Sequence, residues 1–182
     1  MHLVKEHMNF ERGANPKKAM NVGTRVKIEQ WLEDYFQHIS HATEKSVYLL
    51  NDDLSIDING FFITDWVENF PDFIQFNEIY GNFHVGPVTA NNEKTTLRGC
   101  PKIVHGDFSC NGLSIKNLIG GPTRVDGTYN CSLNPKLVSF EGLATHIGDD
   151  FCCNNKSGLT EKDIPKETDI KGDINVGYWS SW

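Results

Sequence analysis

The chain has 182 residues, of which 38% are hydrophobic and 23% charged, and its formal net charge is −7. This composition suits a folded chain with a substantial core rather than a disordered one. The acidic balance, with no basic cluster longer than Lys17-Lys18, argues against a protein that wraps nucleic acid, because neutralising phosphates takes clustered Lys and Arg.

The first residues, Met1-His2-Leu3-Val4-Lys5-Glu6-His7, contain no apolar signal-peptide core, and no stretch approaches the ~20 apolar residues that span a bilayer. The expectation is a cytoplasmic protein that engages neither membrane nor nucleic acid. Its five cysteines should then be reduced thiols.

Residues 1–23 are polar and punctuated by Gly13, Pro16 and Gly23, which predicts an extended N-terminal arm. Residues 24–70 read as a cap made of a helix and a hairpin. Ile28, Trp31, Leu32, Tyr35, Phe36 and Ile39 fall on one face of an α-helix, with Glu29, Glu33, Asp34 and Gln37 opposite. So wide an aromatic face must cover something, and the expected partner is the open edge of the first repeat. Further on, Leu54-Ser55-Ile56-Asp57-Ile58 alternates with period two, Asn59-Gly60 follows, then Phe61-Phe62-Ile63-Thr64. Strand, Asn-Gly, strand predicts a β-hairpin over 54–64.

Residues 71–182 are organised by a repeated phrase. Val104-His105-Gly106-Asp107-Phe108-Ser109-Cys110 returns as Val125-Asp126-Gly127-Thr128-Tyr129-Asn130-Cys131, then as Ile147-Gly148-Asp149-Asp150-Phe151-Cys152-Cys153. Ile170-Lys171-Gly172-Asp173-Ile174-Asn175-Val176 follows, and Tyr80-Gly81-Asn82-Phe83-His84-Val85 is a weaker first copy. The copies are spaced by 25, 21, 22 and 23 residues, a period that marks a solenoid of stacked turns sharing one core. Phe83, Phe108, Tyr129, Phe151 and Ile174 form one inward column. Val85, Cys110, Cys131, Cys153 and Val176 form a second, two residues on and therefore on the same strand face. Between copies, Leu97-Arg98-Gly99, Leu118-Ile119-Gly120 and Phe140-Glu141-Gly142 each send an apolar residue inward before a glycine turn. Tyr129-Asn130-Cys131-Ser132-Leu133-Asn134 fits the leucine-rich pattern best, the other copies lacking the asparagine at that place. The fold class is α+β: a β-rich, leucine-rich-repeat-like solenoid of about five short turns, capped by an amphipathic helix and a β-hairpin.

The phrase Gly-Asp-Phe-x-Cys, with Leu-x-Gly-x-Pro between copies, resembles the leucine-rich-repeat-like proteins common in bacteriophage genomes and in some host bacteria. Phe10-Glu11-Arg12-Gly13, continued by Pro16-Lys17 and by Met20, Val22 and Gly23, is similar to the N-terminal tag that many phage-encoded members carry. Departures are the first spacing of 25 residues, Asp149 where a glycine is expected, and few leucines. The resemblance implies an interaction role and no chemistry.

The residues agree. A linear column of Cys110, Cys131 and Cys153 does not converge tetrahedrally as zinc requires, so no metal and no cofactor is expected. His38 and His41 are one helical turn apart, a weak ligand pair, and no HExxH, phosphate loop or nucleophile elbow occurs. The expected site is the polar outward strand face, with His84, His105, Ser109, Asp126, Asn130, Lys171 and Asn175 as partner-binding residues. The leading expectation is a non-enzymatic protein–protein interaction module of phage origin that binds or inhibits a host protein, such as a defence factor. The alternatives are a virion or assembly component, or an enzyme with a cleft near His38, His41, Asp52 and Asp53. The enzyme requires that Trp31 and Phe36 leave that cleft open. The terminal Tyr178-Trp179-Ser180-Ser181-Trp182 is expected to close the last turn.

Overall fold

In the computed structural model the described residues are 22–38, 47–64, 69–86, 95–155 and 158–177. The predicted arm, apart from its last two residues, lies outside them, as do Ile39, His41 and the aromatic C-terminus. Among the described residues one α-helix, α1 (Val22–His38), precedes thirteen short strands: β1 (Val47–Leu50), β2 (Ile56–Asn59), β3 (Phe62–Ile63), β4 (Phe76–Tyr80), β5 (Phe83–His84), β6 (Ile103–Val104), β7 (Phe108–Ser109), β8 (Arg124–Val125), β9 (Tyr129–Asn130), β10 (His146–Ile147), β11 (Phe151–Asn154), β12 (Asp169–Ile170) and β13 (Ile174–Gly177), with one 3-10 turn, Glu161–Asp163, between β11 and β12.

The strands alternate between two sheets. The first runs β1-β2-β4-β6-β8-β10-β12 and the second β3-β5-β7-β9-β11-β13. Every pairing is parallel except β1 with β2. Each rung of the solenoid therefore contributes one strand to each sheet, with a corner between them. The five predicted copies form the rungs from β4 to β13, and the chain is a β-solenoid as its period requires.

The predicted hairpin over 54–64 is corrected. β2 and β3 lie in different sheets and do not pair with each other. Asn59-Gly60 is a solenoid corner: the Gly60 amide donates to the Tyr80 carbonyl at 3.1 Å, and the Phe62 amide to that of Asn82 at 3.0 Å. Asn-Gly signals a sharp change of direction, but whether the next strand folds back or steps on is decided by where its ladder partners lie. Ile58-Asn59-Gly60-Phe61-Phe62-Ile63-Thr64 is in fact one more copy of the phrase, stacked beneath β4 and β5. The cap does have a hairpin, one strand upstream, where β1 pairs with β2 in the register Val47↔Asn59 to Leu50↔Ile56.

The inward column is a continuous aromatic stack. Phe62 lies parallel to Phe83 at 5.4 Å and Phe83 to Phe108 at 6.1 Å; Tyr129 and Phe151 follow at 4.9 and 6.0 Å. All five are fully buried, as are Val85, Cys110 and Cys131 beside them. Ile174 departs from the expectation. It holds the same column position yet is 38% exposed, because no described rung lies beyond β13 to cover it. At the other end α1 supplies the predicted cover. Trp31 packs edge-on against Phe70 and Phe76, Tyr35 stacks on Phe62, and Phe36 stacks on Tyr48.

The returning turns follow the glycine pattern. Cys100, Gly121 and Leu143 amides donate to the carbonyls of Leu97, Leu118 and Phe140, three residues earlier. Gly99, Gly120 and Gly142 occupy the third turn position at φ of 86–88°, which an L side chain rarely adopts. Leu97, Leu118 and Phe140 are buried beneath them.

Candidate functional site

Outside the core, the first sheet presents two rows of side chains. Glu78, Ile103, Arg124, His146 and Asp169 are in register across β4, β6, β8, β10 and β12. Two residues on, at the corners, stand Tyr80, His105, Asp126, Gly148 and Lys171. Parallel pairing sets neighbours along each row ~4.8 Å apart, so polar groups one repeat apart in sequence become contacts.

The most tightly built part lies around His105. Its ring stacks on Tyr80 with centroids 4.5 Å apart and planes 14° from parallel. Nδ1 faces Asp126 Oδ2 at 2.9 Å and Nε2 faces Glu78 Oε2 at 3.1 Å. The Tyr80 hydroxyl donates to the same Glu78 oxygen at 2.9 Å, and Arg124 Nε donates to Asp126 Oδ1 at 2.7 Å. The electrostatics follow from these contacts. The hydrogen bond to Glu78, aided by Asp126, raises the His105 pKa against partial desolvation. Glu78 is lowered, first by its bond to His105 and then by Tyr80. Desolvation raises Asp126, but Arg124 and His105 together bring it below the ordinary value. The Tyr80 phenol is raised by its bond to Glu78.

Two rungs further, His146 Nδ1 approaches Asp169 Oδ2 at 3.3 Å and Lys171 Nζ reaches the same oxygen at 2.9 Å. Lys171 first, and then His146, lower the Asp169 carboxyl pKa against the opposing effect of desolvation. At the capped end Asp57 accepts from Asn77 Nδ2 at 2.8 Å, from the Glu78 amide at 3.0 Å and from Asn51 Nδ2 at 3.0 Å.

The second sheet carries a flatter row. His84, Ser109, Asn130, Cys152 and Asn175 are in register on β5, β7, β9, β11 and β13. Ser109 Oγ donates to Asn111 Oδ1 at 2.9 Å, and Asn130 Oδ1 accepts from the Ser132 amide at 3.0 Å.

The seven predicted residues thus fall into two groups. His105 and Asp126 touch, and Lys171 shares their row; His84, Ser109, Asn130 and Asn175 stand on the other sheet, around the glycine corner. A single strand face was expected, and the corner divides it. Glu78, Tyr80, Arg124, His146 and Asp169 were not anticipated. Their signal is legible afterwards as an outward pair before each corner: Glu78 and Tyr80, Arg124 and Asp126, Asp169 and Lys171.

The other candidates have structural placements. Cys110, Cys131 and Cys153 line the core, and Cys152 faces outward, half-buried. Asn134 is buried and donates through Nδ2 to the Cys110 and Cys131 carbonyls, both at 2.9 Å. Its amide donates to Asn155 Oδ1 at 2.8 Å, so Asn155 supplies the next rung's asparagine one position out of register. Asp53 accepts from the Ser55 amide and hydroxyl in the β1–β2 turn, and these bonds lower its pKa. Trp31 and Phe36 pack between α1 and the first rungs, against Phe70 and Phe76 and against Tyr48 and Phe62 respectively. Among the described residues no group of three or more His, Cys, Asp or Glu side chains is arranged to hold a metal ion, and no helix is long and apolar enough to cross a membrane. Compared with protein-family models, curated proteins and solved structures, the chain matches none of them.

Proposed function

We propose that this chain is a non-enzymatic protein-binding module, encoded by a phage, that engages a host protein such as a defence factor through the outer face of its first sheet. The observation that carries the reading is the stack of Tyr80 on His105, held from both sides by Glu78 and Asp126. Tyr80 is 52% exposed although its ring and hydroxyl are both fixed. An aromatic anchor that is already ordered loses little conformational entropy on binding, and Tyr and Arg are the residue types enriched at interface hot spots. Arg124 stands two strands along, held on Asp126, and the surface continues to Asp169 and Lys171 with mixed charge. The phage origin and host target rest on the Phe10-Glu11-Arg12-Gly13 tag and the repeat phrase.

The test is affinity capture from bacterial host lysate, with and without infection, by the wild-type chain and by a Tyr80→Ala, Arg124→Ala variant of equal melting temperature. One host protein retained saturably by the wild type and released by the variant supports the reading. Recovery of capsid or tail proteins at fixed stoichiometry replaces it with an assembly role. Equal capture by both proteins moves the interface to the second sheet's row.

A further inference from the structure

Both ring nitrogens of His105 face carboxylate oxygens, from residues that lie on opposite sides of it along the solenoid. Glu78 belongs to β4, His105 follows β6, and Asp126 follows β8. One side chain therefore ties three successive rungs. A neutral imidazole carries a single N–H and turns a lone pair towards whatever its other nitrogen faces. Here that lone pair would point at a carboxylate, so the arrangement is complete only with a proton on each nitrogen.

We infer that His105 is a proton-dependent staple: as the imidazolium it fastens the rungs of β4, β6 and β8 together, and loss of its proton opens one side. The inference concerns the folded chain and does not depend on the proposed binding role. From β4 it is faced by Glu78 and Tyr80, and from β8 by Asp126, whose second oxygen is held by Arg124. Asp57, on the neighbouring rung, accepts from the Glu78 backbone amide and from Asn77 Nδ2 beside it, which fixes the strand that carries the Glu78 carboxylate. Tyr80 keeps its proton throughout the window because its pKa is raised from an already high value.

The direction of the pH dependence follows from linkage. The folded pKa of His105 lies above its ordinary value of ~6.5. Its contribution is then complete below ~6.5 and lost as pH rises through the folded value. Glu78 and Asp126 are lowered in the folded state, so their share is present above the ordinary carboxylate range and lost only as pH falls through their folded values. The staple is whole between these limits.

The experiment uses the full chain and two readouts. Imidazole NMR should find His105 titrating above the ordinary histidine value, and moving down in both Glu78→Gln and Asp126→Asn. The melting temperature of the wild type should exceed that of His105→Gln near pH 6, and the difference should shrink as pH rises to 9. Taking the difference removes the titration of the other histidines, which both proteins share. A His105 that titrates at or below the ordinary value, or a difference in melting temperature that stays constant with pH, overturns the proposal.

Discussion

The amide of Asp107 donates to Oδ1 of Asn82, one rung earlier, across 2.9 Å. The relationship is passed on: Thr128 N donates to Asp107 Oδ1 at 3.0 Å, and Asp173 N to Asp150 Oδ1 at 2.8 Å. In each case the accepting side chain lies where a Cβ on the glycine of the next corner would have to go. Gly106 is blocked by Asn82 Oδ1, Gly127 by Asp107 Oδ1 and Gly172 by Asp150 Oδ1. Each of these corner glycines and the acidic or amide side chain of the rung before it are thus two halves of one rung-to-rung clamp.

Gly127→Ala should therefore destabilise the chain by about 1–3 kcal/mol through overpacking, since the backbone of Gly106 is also only 2.9 Å from the new methyl. Gly177→Ala, whose Cβ would meet nothing within 4 Å, should stay within about 0.5 kcal/mol of wild type. Urea unfolding midpoints compare the two. Equal losses would show that the clamp carries no specific cost.

Phe108→Ala should cost about 3–5 kcal/mol, because the ring is fully buried between Phe83 and Tyr129. Ile174→Ala, at the same repeat position but partly exposed, should cost no more than about 1.5 kcal/mol. Thermal or denaturant unfolding decides it. A similar cost at both positions would mean that Ile174 is covered in solution.

Asn134→Ala should cost about 2–3 kcal/mol despite the small change in volume. It removes the Asn134 side-chain donor from the Cys110 carbonyl and leaves the Cys131 carbonyl with the longer bond from Asn155 Nδ2 at 3.4 Å. Loss of hydrogen-exchange protection around residues 131–134 should accompany it. An unchanged exchange pattern there would sink this account.

Thiol labelling of the native chain should separate one cysteine from four. Cys152 is half-exposed on the second sheet and should react first, slowed because burial raises its pKa. Cys100, Cys110, Cys131 and Cys153 are buried and should react only when the chain unfolds. Burial pushes the Cys110 and Cys131 thiols well up, which slows them further. Mass spectrometry after brief alkylation at pH 8 reads the count directly. Two or more fast sites would place the cysteine column at the surface.

The repeat by itself determines much of this protein. A fixed period of apolar residues two apart requires strands that stack on equivalents of themselves, so the columns of Phe83 to Phe151 and Val85 to Cys153 follow from spacing alone. The wide aromatic face of α1 likewise required an open end to cover. Spacing could not say where Asn59-Gly60 sends the chain, because a hairpin and a corner use the same local backbone signal and differ only in which distant strand receives the hydrogen bonds. Nor could it bury Ile174, since burial comes from the neighbouring rung and not from the residue's own pattern. The candidate site divides the same way. His105 and Asp126 were legible as outward polar positions, but Glu78 and Tyr80 joined them only when parallel pairing brought residues 21 to 27 apart in sequence within hydrogen-bonding distance. Sequence fixes which way a side chain points on its strand; the stacking of rungs decides what it meets there.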